Sequence, residues 1–204
     1  MNIEAQKKRF ANHVATLNDY GPIKVIDFKR PDSNVYRIRF IFEDDYCRLH
    51  ISGDLGELIA TNYNNMTFEK FSRDFVNNPD YFSSKIDCHS RRLVTYDEED
   101  AKEDLIDLFR ECDCYNDITS NGEDEDNLDS VLDDILDDYS DLYGMGSKGI
   151  EVLGDYICDA WEYASDIGER KTDILELYML AFKLASEQLN NQEATGLLPG
   201  LWEE

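Results

Sequence analysis

The sequence has few basic residues and no long apolar run. Its 20 Lys and Arg stand against 45 Asp and Glu, which gives a net charge of −25. Such a charge disfavours contact with DNA, RNA or an anionic membrane, and it makes positively charged protein surfaces the natural partners. The most apolar stretch, 174–185, is interrupted by Glu176 and Lys183 and is far short of the ~20 residues of a membrane helix. We therefore expect no membrane span and no direct nucleic-acid contact.

A secretion signal and a disulfide framework are also absent from the sequence. Residues 1–10 are charged and no apolar run follows them, so we expect no signal peptide. The five cysteines are an odd number without framework spacing, which indicates reduced thiols. Together these features predict a cytoplasmic protein.

Catalytic motifs are scarce. No P-loop, G-x-S-x-G elbow or H-E-x-x-H occurs, and 123–134 lacks the glycine and ligand pattern of an EF-hand. Residues 144–149 match G-x-G-x-x-G, but they follow a predicted acidic helix rather than a strand. That context favours a helix end at Gly144 and a flexible turn over a dinucleotide site. The three histidines are not spaced to single out a nucleophile and base. We predict no enzyme activity and no cofactor.

A zinc site is an alternative that rests on residue types alone. Cys47-x-x-His50, Cys88-His89 and Cys112-x-Cys114 contain the ligands that zinc prefers. Their spacing differs from that of paired zinc knuckles, and the first two pairs fall in predicted strands, where side chains alternate in direction. We expect free thiols and no metal.

The pattern of apolar residues predicts an α+β fold. Phe10, Val14 and Leu17 at helical spacing indicate an opening helix over 3–19. Alternating runs then indicate an antiparallel sheet of three or four strands, and the remainder is mainly helical. The predicted strands are 23–28, 35–42, 46–52 and 55–63, and the later predicted helices are 67–77, 98–112, 126–142, 148–166 and 171–190.

The acidic residues are concentrated in the middle of the chain. Residues 1–96 hold 13 acidic and 14 basic residues, a net charge of +1. Residues 97–142 hold 20 acidic and two basic residues, a net charge of −18, and 143–204 hold 12 and four, a net charge of −8. We therefore predict a near-neutral α+β subdomain over 1–96 and an acidic helical subdomain over 97–204, packed together as one unit.

Segment 126–142 is the most acidic of the predicted helices. At about 100° per residue, its apolar side chains fall within roughly 140° of arc and its carboxylates on the opposite half. The apolar set is Leu128, Val131, Leu132, Ile135, Leu136, Tyr139 and Leu142, and the acidic set is Asp126, Asp129, Asp133, Asp134, Asp137, Asp138 and Asp141. Asp is a poor helix former, and like charges four residues apart each cost a few tenths of a kcal/mol. Glu or Lys would solubilise this face at lower cost.

The spacing of these carboxylates predicts a function. A straight helix of this length spans about 22 Å with about one carboxylate per 3 Å, and one DNA strand carries a phosphate per ~3.4 Å. A protein groove that binds a phosphate backbone would accept this face, extended by Glu123, Asp124 and Glu125. We expect these ten acidic residues to bind a positively charged nucleic-acid-binding protein. The alternative is a structural or assembly protein whose acidic helix is a solvated face.

Residues 51–61 (ISGDLGELIAT), with Tyr63-Asn64 and the predicted helix over 68–75, resemble small proteins of phages and prophages. The acidic helices are similar in character to those of phage-encoded DNA mimics, the anti-restriction and anti-CRISPR inhibitors. The resemblance implies a stoichiometric inhibitor of a DNA-targeting nuclease in the host cytoplasm. A type II CRISPR effector fits best, because its basic channels and PAM-reading arginines are suitable targets.

The arginines of the first half and the apolar C-terminal tail predict two further sets of contacts. Arg37 and Arg39 share one side of a predicted strand, and we expect the arginines of the first half to pair with acids of the helical half. The tail 197–202 (LLPGLW) is apolar, which predicts docking on the protein's own core or a dimer contact.

Overall fold

The computed structural model describes residues 2–120 and 126–194. In chain order its elements are α1 (Ile3–Phe10), β1 (Val14–Asp19), β2 (Ile23–Lys29), β3 (Ile38–Glu43), β4 (Arg48–Gly53), β5 (Leu58–Thr61), α2 (Phe68–Asp74), α3 (Pro79–Ser83), β6 (Ile86–His89), β7 (Val94–Tyr96), α4 (Glu98–Glu111), α5 (Tyr115–Ser120), α6 (Asp126–Leu136), α7 (Ser147–Gly154), β8 (Glu169–Lys171) and α8 (Ile174–Ala194). The chain forms two compact units. The sheet unit runs from the N-terminus to Leu93 and resumes at Asp173, and the acidic unit is Val94–Thr172.

The sheet unit contains a six-stranded antiparallel sheet in the order β1-β2-β3-β4-β5-β6. The α+β class is confirmed, with more strands than the three or four predicted. Alternation places every second side chain on the core face, as in the cross-strand row Ile26, Phe40, Ile51 and Leu58, whose members are all buried. Direct connections between successive strands from β1 to β5 set this register, whereas α2 and α3 lie between β5 and β6.

The predicted opening helix over 3–19 is wrong beyond Phe10. The Asn2 side chain accepts a hydrogen bond from Ala5 N (3.1 Å) and caps α1. The helix ends at Phe10, whose side chain is buried in the core. Residues 14–19 instead form the edge strand β1, where Ala15 is buried and Val14 is exposed. Phe10, Val14 and Leu17 fit a helical period, but strand pairing with β2 determines the structure of this segment.

Helix α8 belongs to the sheet unit, which corrects the prediction of a single acidic subdomain over 97–204. Its Phe182 ring lies 5.3 Å from Phe40, 5.9 Å from Phe42 and 4.8 Å from Phe71, centroid to centroid. Such aromatic pairs add to the free energy gained by burial. The helix therefore completes the core of the sheet although it follows the acidic unit in sequence.

The acidic unit has its own core between α4, α6 and α7. Leu105 and Phe109 of α4 are buried with Leu132 and Ile135 of α6 and Leu153 of α7, while β7 and β8 close the unit as an antiparallel pair. The predicted helices over 126–142 and 148–166 are both too long, since α6 ends at Leu136 and α7 at Gly154. Among the described helices, none is long and apolar enough to span a membrane.

Candidate partner-binding surface

Most of the negative charge lies in the acidic unit. Its sequence holds 26 acidic and five basic residues, a net charge of −21, while the sheet unit holds 19 and 15, a net charge of −4. Self-repulsion at this density opposes the compact state. The buried core must therefore outweigh the repulsion, and the carboxylates require an explanation other than the stability of the unit.

Helix α6 has the two faces that its sequence predicts. Its apolar residues Leu128, Val131, Leu132, Ile135 and Leu136 are buried. Its acidic residues Asp129, Asp133 and Asp134 are exposed. Asp126 begins the helix, but its side chain lies outside the described part of the chain, as do the predicted partner-binding residues Glu123, Asp124 and Glu125. Helix α6 thus presents three described carboxylates over about 7.5 Å of its axis.

The remaining three carboxylates of the predicted row do not lie on the helix. Asp137, Asp138 and Asp141 follow Leu136 in the connection to α7. The predicted 22 Å straight row is therefore wrong, and α6 is about 16 Å long. The apolar pattern also misleads beyond the helix, since Leu142 is 49% exposed.

Asp138 caps the next helix. Its two carboxylate oxygens accept hydrogen bonds from the backbone N–H groups of Lys148 and Gly149, both at 3.0 Å. These are the first N–H groups of α7, which have no acceptor within the helix, and a carboxylate there is also favoured by the helix dipole. Asp138 therefore has a structural role, and a partner would compete with this cap for it.

The G-x-G-x-x-G match has a structural explanation within the same connection. Gly144 closes a loop through paired backbone hydrogen bonds with Ser140 (2.8 and 2.9 Å), at a φ of 71° that favours glycine. A Cβ at Gly146 would collide with the Asp138 carboxylate, and one at Gly149 with the Ile135 carbonyl oxygen. The chain turns before α7, as predicted, but the preceding helix ends at Leu136 instead of Gly144, and the loop is held by its own hydrogen bonds.

Carboxylates from α4 and α6 meet around Lys102. The Lys102 Nζ lies 3.3 Å from Asp133, whose side chain is 71% exposed. The hydrogen bond to Asp133, with the nearby charges of Asp133, Glu98 and Glu99, raises the pKa of Lys102. The two helices therefore contribute to one negative surface around a single lysine.

Lys148 makes a similar contact just beyond the C-terminal end of α6. Its Nζ contacts Asp137 at 2.5 Å, and both side chains are 59% exposed. The hydrogen bond and charge of Asp137, followed by the charges of Asp134 and Asp138, raise the pKa of Lys148. We define the acidic surface as Glu98, Glu99, Asp129, Asp133, Asp134 and Asp137. Lys102 and Lys148 lie within this surface but were not predicted as site residues. The available signal in the sequence was that each lysine is isolated among acidic residues.

Two other acidic residues of α4 are used inside the unit. The carboxylate of Asp104 accepts hydrogen bonds from Arg170 (2.9 and 3.1 Å) and from Gly168 N (2.8 Å), and these bonds lower the pKa of Asp104. Asp100 pairs with the same guanidinium at 3.0 Å. These contacts join α4 to β8, so Asp100 and Asp104 are not available to a partner.

The Cys/His pairs do not converge in the structure. Within residues 2–120 and 126–194, no three His, Cys, Asp or Glu side chains are placed to hold a metal ion. His13 is buried, and desolvation lowers its pKa while its Nε2 lies 3.1 Å from the Tyr36 carbonyl oxygen. His50 lies 3.4 Å from Glu43 on the exposed face of the sheet. This geometry gives the zinc alternative no support.

The strand arginines pair differently from the prediction. Arg39 donates to both carboxylate oxygens of Asp27 on the neighbouring strand (2.7 and 2.8 Å), and Arg48 lies 3.7 Å from Glu43. Their acidic partners therefore come from the sheet itself. Pairing of these two arginines with the helical half, as predicted, is wrong.

Comparison with known proteins adds no functional assignment. No protein-family model, curated protein or solved structure matches the chain.

Proposed function

We propose that the chain is a non-catalytic inhibitor whose acidic unit binds the nucleic-acid-binding groove of a nuclease. The observation that carries the proposal is the acidic surface, in which carboxylates from two neighbouring helices are exposed on one compact unit. The side chains of Asp129 and Asp134 are exposed and make no hydrogen bond or ion pair within residues 2–120 and 126–194, although the charge of Asp134 acts on Lys148. Their charges are therefore available to a basic partner.

The charge pattern supports binding to a phosphate-binding groove. Asp129 and Asp133 are four residues apart on α6, about 6 Å along the helix, and Glu98 and Glu99 of α4 lie beside the same lysine as Asp133. Short Asp side chains hold their charges close to the backbone of a rigid helix. Basic clefts concentrate and orient the opposite charge over long distances.

A guided nuclease of the type II CRISPR class is the partner we propose, with binding in the cytoplasm of a bacterial host. Such an enzyme carries a positively charged channel for its heteroduplex and arginines that read the PAM. A folded protein of net charge −25 has the complementary sign. The chain would then act as an anti-CRISPR protein, by occupying a site instead of modifying it.

A structural or assembly protein with a solvated acidic face is the second candidate. Two observations favour it: Lys102 and Lys148 already pair with Asp133 and Asp137, and Glu98 and Glu99 lie in the first turn of α4. Acidic residues in a first turn stabilise the helix without any partner. Under this candidate, removing the charges of Asp129, Asp133 and Asp134 changes no binding.

An inhibition assay tests the two candidates. DNA cleavage by a purified, RNA-loaded type II CRISPR effector is measured with the wild type and with an Asp129→Asn, Asp133→Asn, Asp134→Asn variant. The matched control, Asp32→Asn, Asp45→Asn, Glu69→Gln, removes the same charge from exposed positions of the sheet unit. We expect inhibition by the wild type and the control but not by the first variant. Equal potency of all three proteins would contradict the role of the acidic surface.

A further inference from the structure

A polar pocket of about 610 Å³ lies at one end of the six-stranded sheet. Two tyrosines and two basic residues line it, Tyr46, Tyr63, Arg48 and Lys85, and Asp87 adds a carboxylate. The predicted docking of the tail 197–202 lies outside the described residues, whereas this pocket is formed by described residues of the sheet unit. Pockets for small molecules measure about 300–1,000 Å³, so the pocket is large enough for such a ligand.

Backbone hydrogen bonds join the three segments that form the pocket. The Cys47 carbonyl oxygen accepts from Asn62 N (3.1 Å), which connects the turn before β4 to the residues after β5. The Lys85 carbonyl oxygen accepts from Thr61 N (3.0 Å), which connects β5 to the residue before β6. Arg48 is the register partner of Thr61. The lining side chains therefore project from paired backbone.

Two tyrosine rings are exposed at this pocket. Tyr63 is fully exposed and Tyr46 is 70% exposed. The turn that carries Tyr63 is nevertheless fixed, because the Asn62 side chain donates to that of Asn65 (2.5 Å), which donates to Asp74 (2.9 Å). Aromatic rings gain free energy when they are covered. Two rings held in water beside a pocket therefore favour a ligand with a flat apolar face.

The two basic residues lack a hydrogen-bonded carboxylate. Arg48 lies 3.7 Å from Glu43, too far for a hydrogen bond, and its buried Nε has no hydrogen-bond partner within the described residues. The Arg48 guanidinium carbon is 5.8 Å from the centroid of the Tyr46 ring. Lys85 Nζ lies 4.6 Å from the centroid of the Tyr81 ring and forms no ion pair within residues 2–120 and 126–194. Both cations therefore favour an anionic ligand.

We propose that this pocket binds a nucleoside 5′-phosphate. The base stacks on the exposed tyrosine rings, since every base has an aromatic face. The phosphate, with about 1.5–2 negative charges at pH 7, accepts hydrogen bonds from Arg48 and Lys85. The Asp87 carboxylate accepts from the ribose hydroxyl groups, as acidic residues do in other nucleotide sites. The proposal uses no residue of the acidic surface, so it does not depend on the proposed function.

The negative net charge of the chain limits the ligand to a free nucleotide. At physiological ionic strength, charges more than about 8 Å apart are largely screened, so Arg48 and Lys85 dominate the field at a single phosphate. Along a nucleic-acid strand, repulsion from a net charge of −25 accumulates over many phosphates. A free nucleotide should therefore bind better than a strand.

Titration with adenosine 5′-monophosphate (AMP), followed in backbone amide NMR spectra of the full chain, tests the proposal. We expect saturable shifts of the amides of Asn62, Tyr63 and Lys85. Adenosine and ribose 5-phosphate should each bind about fivefold or more weakly, because the first lacks the phosphate and the second lacks the stacked base. The absence of saturable shifts with AMP, or shifts confined to other parts of the chain, would overturn the proposal.

Single substitutions identify the contacts. Tyr63→Ala should weaken AMP binding about fivefold or more, and Lys85→Ala should weaken the binding of AMP but not that of adenosine. The controls Tyr20→Ala and Lys8→Ala remove the same side chains from exposed positions outside the pocket and should change nothing. Equal AMP affinity of all four variants would contradict the proposal. Tighter binding of a single-stranded oligonucleotide than of AMP would overturn a site for a free nucleotide.

Discussion

At the scale of single residues, Asp138 serves the fold although it belongs to an acidic run. Both of its oxygens accept backbone hydrogen bonds at the start of α7. Asp134, four residues earlier, is exposed and makes no such bond. Identical residues in one segment thus have different roles, and the sequence does not distinguish them because the cap joins positions ten residues apart.

Replacing Asp138 with Ala should destabilise the acidic unit. The loss of a capping carboxylate costs about 0.5–2 kcal/mol, whereas Asp134→Ala should be neutral or slightly stabilising because Ala is the better helix former. Urea unfolding followed by circular dichroism measures both variants. Equal midpoints for Asp138→Ala and the wild type would contradict the capping role.

Tyr139 makes the stability of the acidic unit sensitive to alkaline pH. Its hydroxyl donates to backbone carbonyl oxygens of Asp97 and Ile167 (both 3.2 Å), and burial, with the charges of Asp97 and Asp104, raises the pKa of Tyr139 to about 12. In the unfolded chain the group ionises near 10.0. The folded state therefore keeps its full advantage below pH 10 and loses it between pH 10 and about 12.

The Tyr139→Phe variant has no hydroxyl to ionise and should therefore lack this dependence on pH. Below pH 10 the variant should be less stable, by about 1 kcal/mol, because it lacks the hydroxyl hydrogen bonds. Above pH 10 the wild type should lose this advantage, because its hydroxyl ionises more readily in the unfolded chain than in the folded one. The measurement is the free energy of unfolding against pH for both proteins. Parallel curves across this range would contradict the raised pKa.

At the scale of elements, α6 shows how far the apolar pattern predicts structure. Leu128, Val131, Leu132 and Ile135 were predicted to share a buried face, and they do. The end of the helix was not predictable, because Tyr139 continues the helical spacing. In the structure its hydroxyl instead donates to the backbone carbonyl oxygens of Asp97 and of Ile167, which lies just before β8. Contacts between distant parts of the chain override local pattern at that point.

Lys102 and Lys148 lie within the acidic surface and lower its net charge. Replacing both with Gln should raise the affinity for a basic partner under the proposed function, since each lysine competes with the partner for a carboxylate. The same variant should be slightly less stable, because exposed ion pairs contribute at most about 1 kcal/mol each. Titration of the type II effector with both proteins measures the affinity. Unchanged or weaker binding by the double variant would contradict an electrostatic surface.

At the scale of the whole molecule, the separation of charge follows the two units. The acidic unit has a net charge of −21 and the sheet unit −4. The sequence showed where the charge lies, because counting along the chain requires no knowledge of the fold. It did not show that α8 returns to the sheet, since that depends on Phe182 and Tyr178 filling a core made by distant strands. The exposed carboxylates of α6 were therefore predictable from the sequence, whereas the end of the helix and the capping role of Asp138 were not.

Competition with DNA tests whether the acidic surface occupies a nucleic-acid-binding groove. An RNA-loaded type II CRISPR effector is first bound to the wild-type chain, and duplex DNA with the matching target and PAM is added at increasing concentration. We expect that DNA displaces the chain, that binding of the chain weakens as salt rises, and that the Asp129→Asn, Asp133→Asn, Asp134→Asn variant does not bind. Failure of the wild type to bind, or binding that target DNA leaves unchanged, would contradict mimicry of DNA.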